Sequence, residues 1–219
     1  MMEAVIFDMD GVLVDSQPFH FEVDRAVLAS CGHEASLETV QNYAGMSNVN
    51  RWAKYKRDFN LDASVETLIA THVRSIMEQL DAAELQAIPH IPELLEMLKE
   101  KGLRLAVASS SSYDFIYKML DKLGIRGAFA VVLSGEDMPN SKPAPDIFLR
   151  AAELLGSAPS ACVVIEDSAS GVQASVAADI RCVGFRNANS GAQDLTGASV
   201  VIDDFAELLG DSAWLEAVR

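Results

Sequence analysis

Short runs of apolar, mostly β-branched residues alternate along the chain with segments of helical hydrophobic spacing. Four of these runs predict strands, at residues 4–7, 103–108, 162–165 and 199–202. Two weaker runs, 130–133 and 181–185, predict two more strands. Because the runs are apolar throughout, both faces of the resulting sheet must be covered, which is typical of a parallel sheet.

The segments between these strands favour helices with recognisable ends. Residues 92–101, 113–123 and 145–155 carry apolar residues at helical spacing, and each segment is followed by a glycine. Strands that alternate with helices of about ten residues predict an α/β fold with a doubly wound parallel sheet.

The region from residue 16 to residue 83 interrupts this alternation. It has helical patterns at 19–31, 37–43, 49–59 and 65–80 and no convincing strand. We therefore expect a core domain of residues 1–15 and 84–219, with a helical domain of residues 16–83 inserted after the first strand. Loops at this position face the ligand crevice in such folds, so the insertion is expected to cover the site as a lid.

Composition narrows the classes of partner and compartment. The 219 residues include 17 Lys and Arg against 32 Asp and Glu, a net charge of −15, which disfavours binding to nucleic acid and to anionic membranes.

Three cysteines cannot pair evenly, so Cys31, Cys162 and Cys182 are expected to be buried free thiols in a reducing compartment. Without a leader-like start or a run of about 18 apolar residues, the sequence predicts a cytoplasmic protein, which we expect to be a monomer.

Acidic residues follow two of the predicted strands. Asp8 and Asp10 end the first strand and precede Gly11. Such a pair could bind a hard cation or act as nucleophile and acid/base, although Asp and Gly are also common where any strand ends. Glu166 and Asp167 leave a later buried strand, where adjacent carboxylates are costly unless a cation meets them.

Hydroxyl and ammonium groups follow two other strands. The run of four serines from Ser109 to Ser112 could hold a phosphate where a helix begins, although Ser111 or Ser112 need do no more than cap that helix. Lys142 lies just before another predicted helix. A lone lysine in such a loop is usually a surface residue.

Along the chain, the first acidic pair is followed by the serine run, the lysine and the second acidic pair. These four elements in this order resemble the haloacid dehalogenase (HAD) superfamily, and the resemblance covers nearly the whole chain. The helical insertion resembles the alpha-helical cap of that superfamily. The segments SKPAPDIF at 141–148 and IEDSASGVQA at 165–174 resemble its β-phosphoglucomutase and sugar-phosphatase branch. The resemblance implies a Rossmann-like HAD core with a helical cap.

The same resemblance implies roles for individual residues. Asp8 would be the nucleophile, Asp10 the general acid and base, and Ser109 and Lys142 the groups that bind the transferring phosphoryl group. The implied Mg²⁺ ligands are Asp8, the backbone carbonyl of Asp10, Asp167 and Glu166. The implied function is a Mg²⁺-dependent phosphatase that hydrolyses a small phosphorylated metabolite, such as a sugar phosphate, through an aspartyl-phosphate.

A phosphosugar mutase is the main alternative. The mutases of the family resemble this chain at residues 45–47 but continue with an arginine where this chain has Asn48, and they carry lysines at Ser112 and near Thr71 or His72. Three expected cations are therefore missing, and this favours the phosphatase. Arg51 or Arg74 could replace them, although each is more often a solvated helix residue.

Two further alternatives carry less weight. The dehalogenases of the superfamily share the nucleophile but lack an acid at the position of Asp10 and use no Mg²⁺. A binding protein without turnover would be expected to lose Asp8, Asp10 or Asp167, and all three are present. Contacts with the substrate are expected from Ser110, His20, Gly45 and Arg51.

Overall fold

The computed structural model describes residues 2–43, 46, 48–210 and 214–215. Its strands are β1 Ala4–Phe7, β2 Arg104–Ser109, β3 Val131–Ser134, β4 Cys162–Glu166, β5 Arg181–Phe185 and β6 Val200–Ile202. They form one parallel sheet in the order β3-β2-β1-β4-β5-β6, with Ala4 paired to Arg104 on one side and to Cys162 on the other. The predicted doubly wound α/β fold is confirmed.

Eight α-helices lie within the described residues. They are α1 Gln17–Ser30, α2 Leu37–Gln41, α3 Asn48–Asp58, α4 Val65–Leu80, α5 Ile91–Glu100, α6 Tyr113–Lys122, α7 Asp146–Leu155 and α8 Ala169–Ala177. Short 3-10 turns such as Gly135–Asp137 were not predicted, because three residues are too few to show a hydrophobic period. In this part of the chain, no helix combines the length and apolar character needed to span a membrane.

The sheet buries both of its faces. Ile6, Ala106 and Val164 belong to one apolar cluster with residues of α7 and α8. Their neighbours Val5, Val107 and Ile165 point to the opposite face and are equally buried. This double burial explains why the strand segments are apolar throughout. Because β2, β1 and β4 are parallel neighbours, their carboxyl ends lie side by side at one edge of the sheet.

The chain divides into two compact units. The α/β unit comprises Met1–Asp15 and Leu85–Arg219, and the helical unit comprises Ser16–Glu84. Within the helical unit, α4 contacts α1 and α3, and α1 contacts α2. Trp52 and Tyr55 are fully buried there, as expected for residues at helical spacing on an apolar face.

A charged cluster is buried inside the helical unit. Asp24 on α1 has no exposed surface and accepts a hydrogen bond of 3.1 Å from the Tyr55 hydroxyl. Arg51 Nε lies 3.2 Å from one carboxylate oxygen of Asp24, and His72 Nε2 lies 3.1 Å from the other. The expectation that Arg51 is solvated was therefore wrong, because its charge is balanced by a carboxylate inside the unit.

The three cysteines do not share one environment. Cys162 and Cys182 are buried, as predicted, and burial raises the pKa of the Cys182 thiol to about 12. Cys31 is exposed, which corrects the expectation of three buried thiols. It follows the last residue of α1, where the chain turns away at Gly32, so the apolar face of the helix does not include it.

Candidate active site

The sequence-predicted site residues of the α/β unit meet at one edge of the sheet. Asp8 directly follows β1, Ser109 is the last residue of β2, and Glu166 is the last residue of β4. Because β2 and β4 flank β1 in a parallel sheet, these three residues lie on adjacent strand ends. Lys142 comes from the segment that follows β3 and leads to α7.

Lys142 is the centre of this cluster. Its Nζ donates to Asp8 Oδ1 at 2.6 Å, to Glu166 Oε1 at 2.7 Å and to the carbonyl of Ala108 at 3.1 Å. Only 6% of its side chain is exposed, and its ammonium lies 4.8 Å from the centre of the Phe148 ring. The surface role that is usual for a loop lysine does not apply here.

Burial and neighbouring carboxylates both raise pKa values in this cluster. Burial raises the pKa of Asp8 well above its usual value, and Glu166, Asp167 and Asp10 raise it further, while Lys142 alone lowers it. Burial and the charge of Glu166 raise the pKa of Asp167 to about 7. For Lys142 burial acts to lower the pKa, but Asp8 and Glu166 outweigh it and raise the pKa of the ammonium.

The serine segment supports Asp10. Ser111 Oγ donates to Asp10 Oδ2 at 2.9 Å, and the Ser111 backbone N–H donates to Ser109 Oγ at 3.1 Å. Ser134, at the end of β3, donates to the Ser111 carbonyl at 2.7 Å and so fixes the segment from the neighbouring strand. Ser111 therefore does more than cap a helix. Ser112 is the N-cap residue of α6.

Glu166 is held on both of its carboxylate oxygens. Oε1 accepts from Lys142, and Oε2 accepts from the backbone N–H groups of Asp167 and Ser168 and from the Ser168 hydroxyl. Gly171 of α8 makes room for this carboxylate, because a Cβ at that position would clash with it. In this structure Glu166 is thus primarily the partner of Lys142.

Asp167 and the loop after β1 approach each other closely. Gly11 has a φ of +89°, and a Cβ at this position would overlap the Asp167 carboxylate. The loop folds back on itself, since the N–H groups of Leu13 and Val14 both donate to the carbonyl of Met9. The glycine therefore brings the backbone next to Asp10 against the Asp167 carboxylate, which directly follows β4.

The donor chemistry of this edge fits a magnesium ion. Across residues 2–43, 46, 48–210 and 214–215, no three His, Cys, Asp or Glu side chains are already grouped as ligands of one ion. However, four carboxylates share the edge with a single ammonium, and the charges of Glu166, Asp167 and Asp10 add to the burial that raises the pKa of Asp8. Oxygen donors with a surplus of negative charge suit a hard divalent cation. The ligand set of Asp8, Asp10, Glu166 and Asp167 stays a prediction.

A family comparison agrees with this arrangement of residues. The model of the haloacid dehalogenase-like hydrolases matches residues 5–185, which include the carboxyl ends of β1, β2 and β4. The chain belongs to the haloacid dehalogenase-like hydrolase family. It is therefore an enzyme of the hydrolase class, and the resemblance inferred from the four sequence elements is confirmed.

Individual relatives of this HAD-like hydrolase share much of its length. It is 34% identical over 179 residues to the phosphorylated carbohydrates phosphatase of Thermotoga maritima, covering 82% of each chain. It is 33% identical over 215 residues to the protein SUPPRESSOR OF QUENCHING 1 of Arabidopsis thaliana, but that match spans only 20% of the plant protein. The crystal structure of CbbY from Rhodobacter sphaeroides in complex with phosphate superposes with a TM-score of 0.85, at 26% identity, covering 99% of this chain and 100% of CbbY.

The residues expected to contact substrate are spread over both units of the HAD-like hydrolase. Ser110, in the α/β unit, lines a cavity of about 190 Å³ next to Lys142. His20 and Arg51 belong to the helical unit, where the His20 ring stacks on that of His72 with 6.1 Å between centroids. Gly45 lies outside the described residues.

Sequence reasoning missed several residues that contact the site. Ser111 was considered as part of a phosphate-binding serine run or as a helix cap, and not as a partner of Asp10. Asn187 and Ser190 were not considered, although Asn187 donates to the Gly11 carbonyl and Ser190 donates to Asp167. A weak sequence signal was available for Asn187 and Ser190, because both lie in the loop after β5, a strand that neighbours β4 in the parallel sheet. The order of the strands, which the structure supplies, is needed to interpret that signal.

Proposed function

We propose that this HAD-like hydrolase is a Mg²⁺-dependent phosphatase that hydrolyses a small phosphate monoester, a sugar phosphate, through an aspartyl-phosphate at Asp8. The observation that carries the proposal is the buried Asp8 carboxylate held 2.6 Å from Lys142 among three further carboxylates. The substrate class is supported by the name of the Thermotoga maritima relative, a phosphatase of phosphorylated carbohydrates.

The first half of the proposed reaction transfers the phosphoryl group to the enzyme. A carboxylate oxygen of Asp8 attacks the phosphorus, and the bond from phosphorus to the ester oxygen breaks. Asp10 gives its proton to the departing alkoxide, which leaves as an alcohol. The hydrogen bond that Ser111 Oγ donates to Asp10 Oδ2 supports this role, because it fixes the orientation of the Asp10 carboxylate.

The second half returns the enzyme to its starting state. Asp10, now ionised, accepts a proton from a water molecule as that water attacks the phosphorus of the aspartyl-phosphate. The bond between Asp8 and phosphorus breaks, inorganic phosphate is released, and Asp8 is again a carboxylate. Both halves use the same pair of acids, whose separation by one residue at the end of β1 suits the two roles.

Binding of the phosphoryl oxygens falls to Ser109 and Lys142. The Lys142 ammonium lies beside the nucleophile, and Ser109 Oγ is fixed by the N–H of Ser111. Mg²⁺, held by Asp8, the Asp10 carbonyl, Asp167 and Glu166, would offset the repulsion between carboxylates and phosphate. Charge stabilisation and positioning are the main demands of phosphoryl transfer.

Water is proposed as the acceptor because the cations with which the family's mutases bind a second phosphate are missing at their expected positions in this chain. Asn48 and Ser112 stand where the family's mutases have cations. Arg51, one of the two arginines that could replace them, has its Nε 3.2 Å from the buried Asp24 carboxylate and its Nη2 3.3 Å from Asn48 Oδ1. Its charge is therefore already balanced inside the helical unit, which supports the phosphatase over the mutase.

The test is a screen of the purified protein against phosphorylated sugars and polyols, with Mg²⁺, measuring free phosphate. We expect release that stops in excess chelator and returns on adding Mg²⁺, and inhibition by Ca²⁺, whose coordination is longer and looser. Full activity in excess chelator would refute the metal-dependent reaction. In a parallel assay with β-glucose 1-phosphate and glucose 1,6-bisphosphate, fast formation of glucose 6-phosphate with little free phosphate would favour the mutase.

A further inference from the structure

A polar loop after β5 connects two other loops of the candidate site. This β5 loop, residues 186–193, follows a strand that pairs with β4 and β6 and not with β1. Its side chains nevertheless bond to both the loop after β1 and the loop after β4. None of these side chains has a role in the reaction proposed above.

The contact with the loop after β4 is made by Ser190. Its hydroxyl donates to Asp167 Oδ2, and the residue is almost completely buried. Gln193 ties the two loops together at the backbone, since its Oε1 accepts from the Ala169 N–H at 3.0 Å and its Nε2 donates to the Ser190 carbonyl at 2.8 Å. Gln193 thus links the backbone of Ser190 to the segment that directly follows Asp167.

The contact with the loop after β1 is made by two asparagines. Asn187 Nδ2 donates to the carbonyl of Gly11 at 3.0 Å, and Asn187 Oδ1 accepts from the backbone of Asn189 at 2.8 Å. Asn189 Nδ2 donates to Asp15 Oδ2 at 2.6 Å. The β5 loop therefore forms hydrogen bonds to Gly11 and to Asp15, at the two ends of the turn that follows Asp10.

These bonds limit the freedom of one carboxylate. A carboxylate can rotate about its bond to the preceding carbon and present either oxygen to a ligand. Because Ser190 occupies Oδ2 of Asp167, the group has a fixed plane, and Oδ1 is the oxygen that remains for a cation. Partners of this kind orient metal ligands, and their loss commonly weakens metal binding by about 10–100-fold.

We propose that Ser190 is a positioning residue for the divalent cation, which it serves by fixing the Asp167 carboxylate, and that the β5 loop sets the affinity of the site for the metal. The inference rests on the proposed Mg²⁺-dependent function. It adds that metal affinity depends on a hydroxyl that does not itself ligate the ion.

The test measures metal binding directly, without substrate or turnover. Free Mn²⁺ is counted by electron paramagnetic resonance in titrations of the wild-type protein, and the site in question is the one lost in Asp167→Asn. We expect Ser190→Ala to weaken Mn²⁺ binding at that site by about tenfold or more, and Ser190→Thr, which keeps the hydroxyl, to restore most of the affinity.

The matched control is Ser175→Ala. Ser175 is also buried in the α/β unit, but its hydroxyl donates to the carbonyl of Val172 within α8. We expect Ser175→Ala to bind Mn²⁺ within about twofold of the wild type, because it changes no group at the strand ends. If Ser190→Ala does not fold, Ser190→Cys, which has a similar volume and a much weaker donor, takes its place with the same expectation.

The outcomes separate the two proposals. If the wild type binds Mn²⁺ and Ser190→Ala binds it equally well, the positioning role of Ser190 is overturned while the metal-dependent function stands. If the wild type has no site that Asp167→Asn removes, the metal-dependent function fails and this inference fails with it.

Discussion

Two buried carboxylates, Asp8 in the α/β unit and Asp24 in the helical unit, both contact basic side chains, but the charge around them differs. Asp24 is one carboxylate between the Arg51 guanidinium and the His72 imidazole. Asp8 shares the single ammonium of Lys142 with Glu166, and two more carboxylates lie nearby. The first cluster is balanced, whereas the second carries a surplus of negative charge.

The comparison shows how to separate a structural charge cluster from a reactive one. A balanced buried pair ties helices together, and removal of one partner leaves the other charge uncompensated. A buried surplus of one sign destabilises the fold until an ion or a substrate completes it, so its presence indicates a functional site. Burial alone does not separate the two clusters, because Asp24 is buried even more completely than Asp8.

The largest expected effect is the loss of turnover in Asp8→Asn. An amide cannot attack phosphorus, so the rate of phosphate release should fall by at least about 100-fold, equivalent to about 2.7 kcal/mol of barrier. The measurement is steady-state hydrolysis, with circular dichroism to show that the variant is folded. The control is Asp203→Asn, the same change at an exposed aspartate that pairs with Arg186, which should keep the wild-type rate.

The next effect concerns the free energy of unfolding, which we expect to fall more in Asp24→Asn than in Asp8→Asn. Asp24→Asn leaves a buried guanidinium without its carboxylate, which should lower the free energy of unfolding by about 3–5 kcal/mol. Asp8→Asn should lower it much less or raise it, because it removes one charge from a surplus. Urea denaturation of metal-free protein measures both. Equal losses in the two variants would contradict the charge-balance difference.

The smallest effect is a dependence of stability on pH. Folding raises the pKa values of Asp8 and Asp167, the latter to about 7, so the folded α/β unit binds protons more tightly than the unfolded chain. Without metal, these two groups should therefore make that unit more stable as the pH falls from about 7 towards the usual carboxyl pKa of about 4. Mg²⁺ requires ionised ligands, so the melting-temperature rise that it causes should grow from about pH 5 to about pH 8.

The helical unit should respond in the opposite direction. Burial lowers the pKa of His72 although Asp24 opposes this, so the folded state resists protonation of the imidazole. The stability contributed by His72 should fall as the pH drops below the usual imidazole value of about 6.5. Melting curves from pH 5 to 8 with and without Mg²⁺ test both pH dependences. We expect Asp167→Asn to reduce the pH dependence of the α/β unit and of its response to Mg²⁺, and His72→Gln to reduce the pH dependence of the helical unit. A Mg²⁺ effect that is the same at all pH values would contradict the expectation for the α/β unit.

Much of the α/β unit could be predicted because its information is local in sequence. Apolar runs identified the six strands, and the residues directly after them identified Asp8, Ser109 and Glu166, since parallel strands end at a common edge. The position of Lys142 needed the resemblance to the family. Nothing in its own loop distinguishes a lysine that bonds to two carboxylates from one that is solvated.

The remaining contacts depend on side chains that are far apart in sequence. Asn187 bonds to Gly11 across 176 positions, and its neighbourhood resembles an ordinary turn rich in Asn, Ser and Gly. Of four successive serines, the one that reaches Asp10 is selected by the path of the loop, which Ser134 of a neighbouring strand helps to fix. The partner of Arg51 is on another helix, so its sequence position alone suggested a surface residue.

Gly171 is a position where a usual stabilising substitution would disturb the candidate site. Replacing a glycine inside a helix by alanine is a standard engineering step, with an expected gain of about 1 kcal/mol from helix propensity. At position 171 the added methyl group would occupy the space of the Glu166 carboxylate and disturb its bond to Lys142. A design rule based on helix propensity alone would therefore propose Gly171→Ala, whereas the close approach of the Glu166 carboxylate requires the glycine.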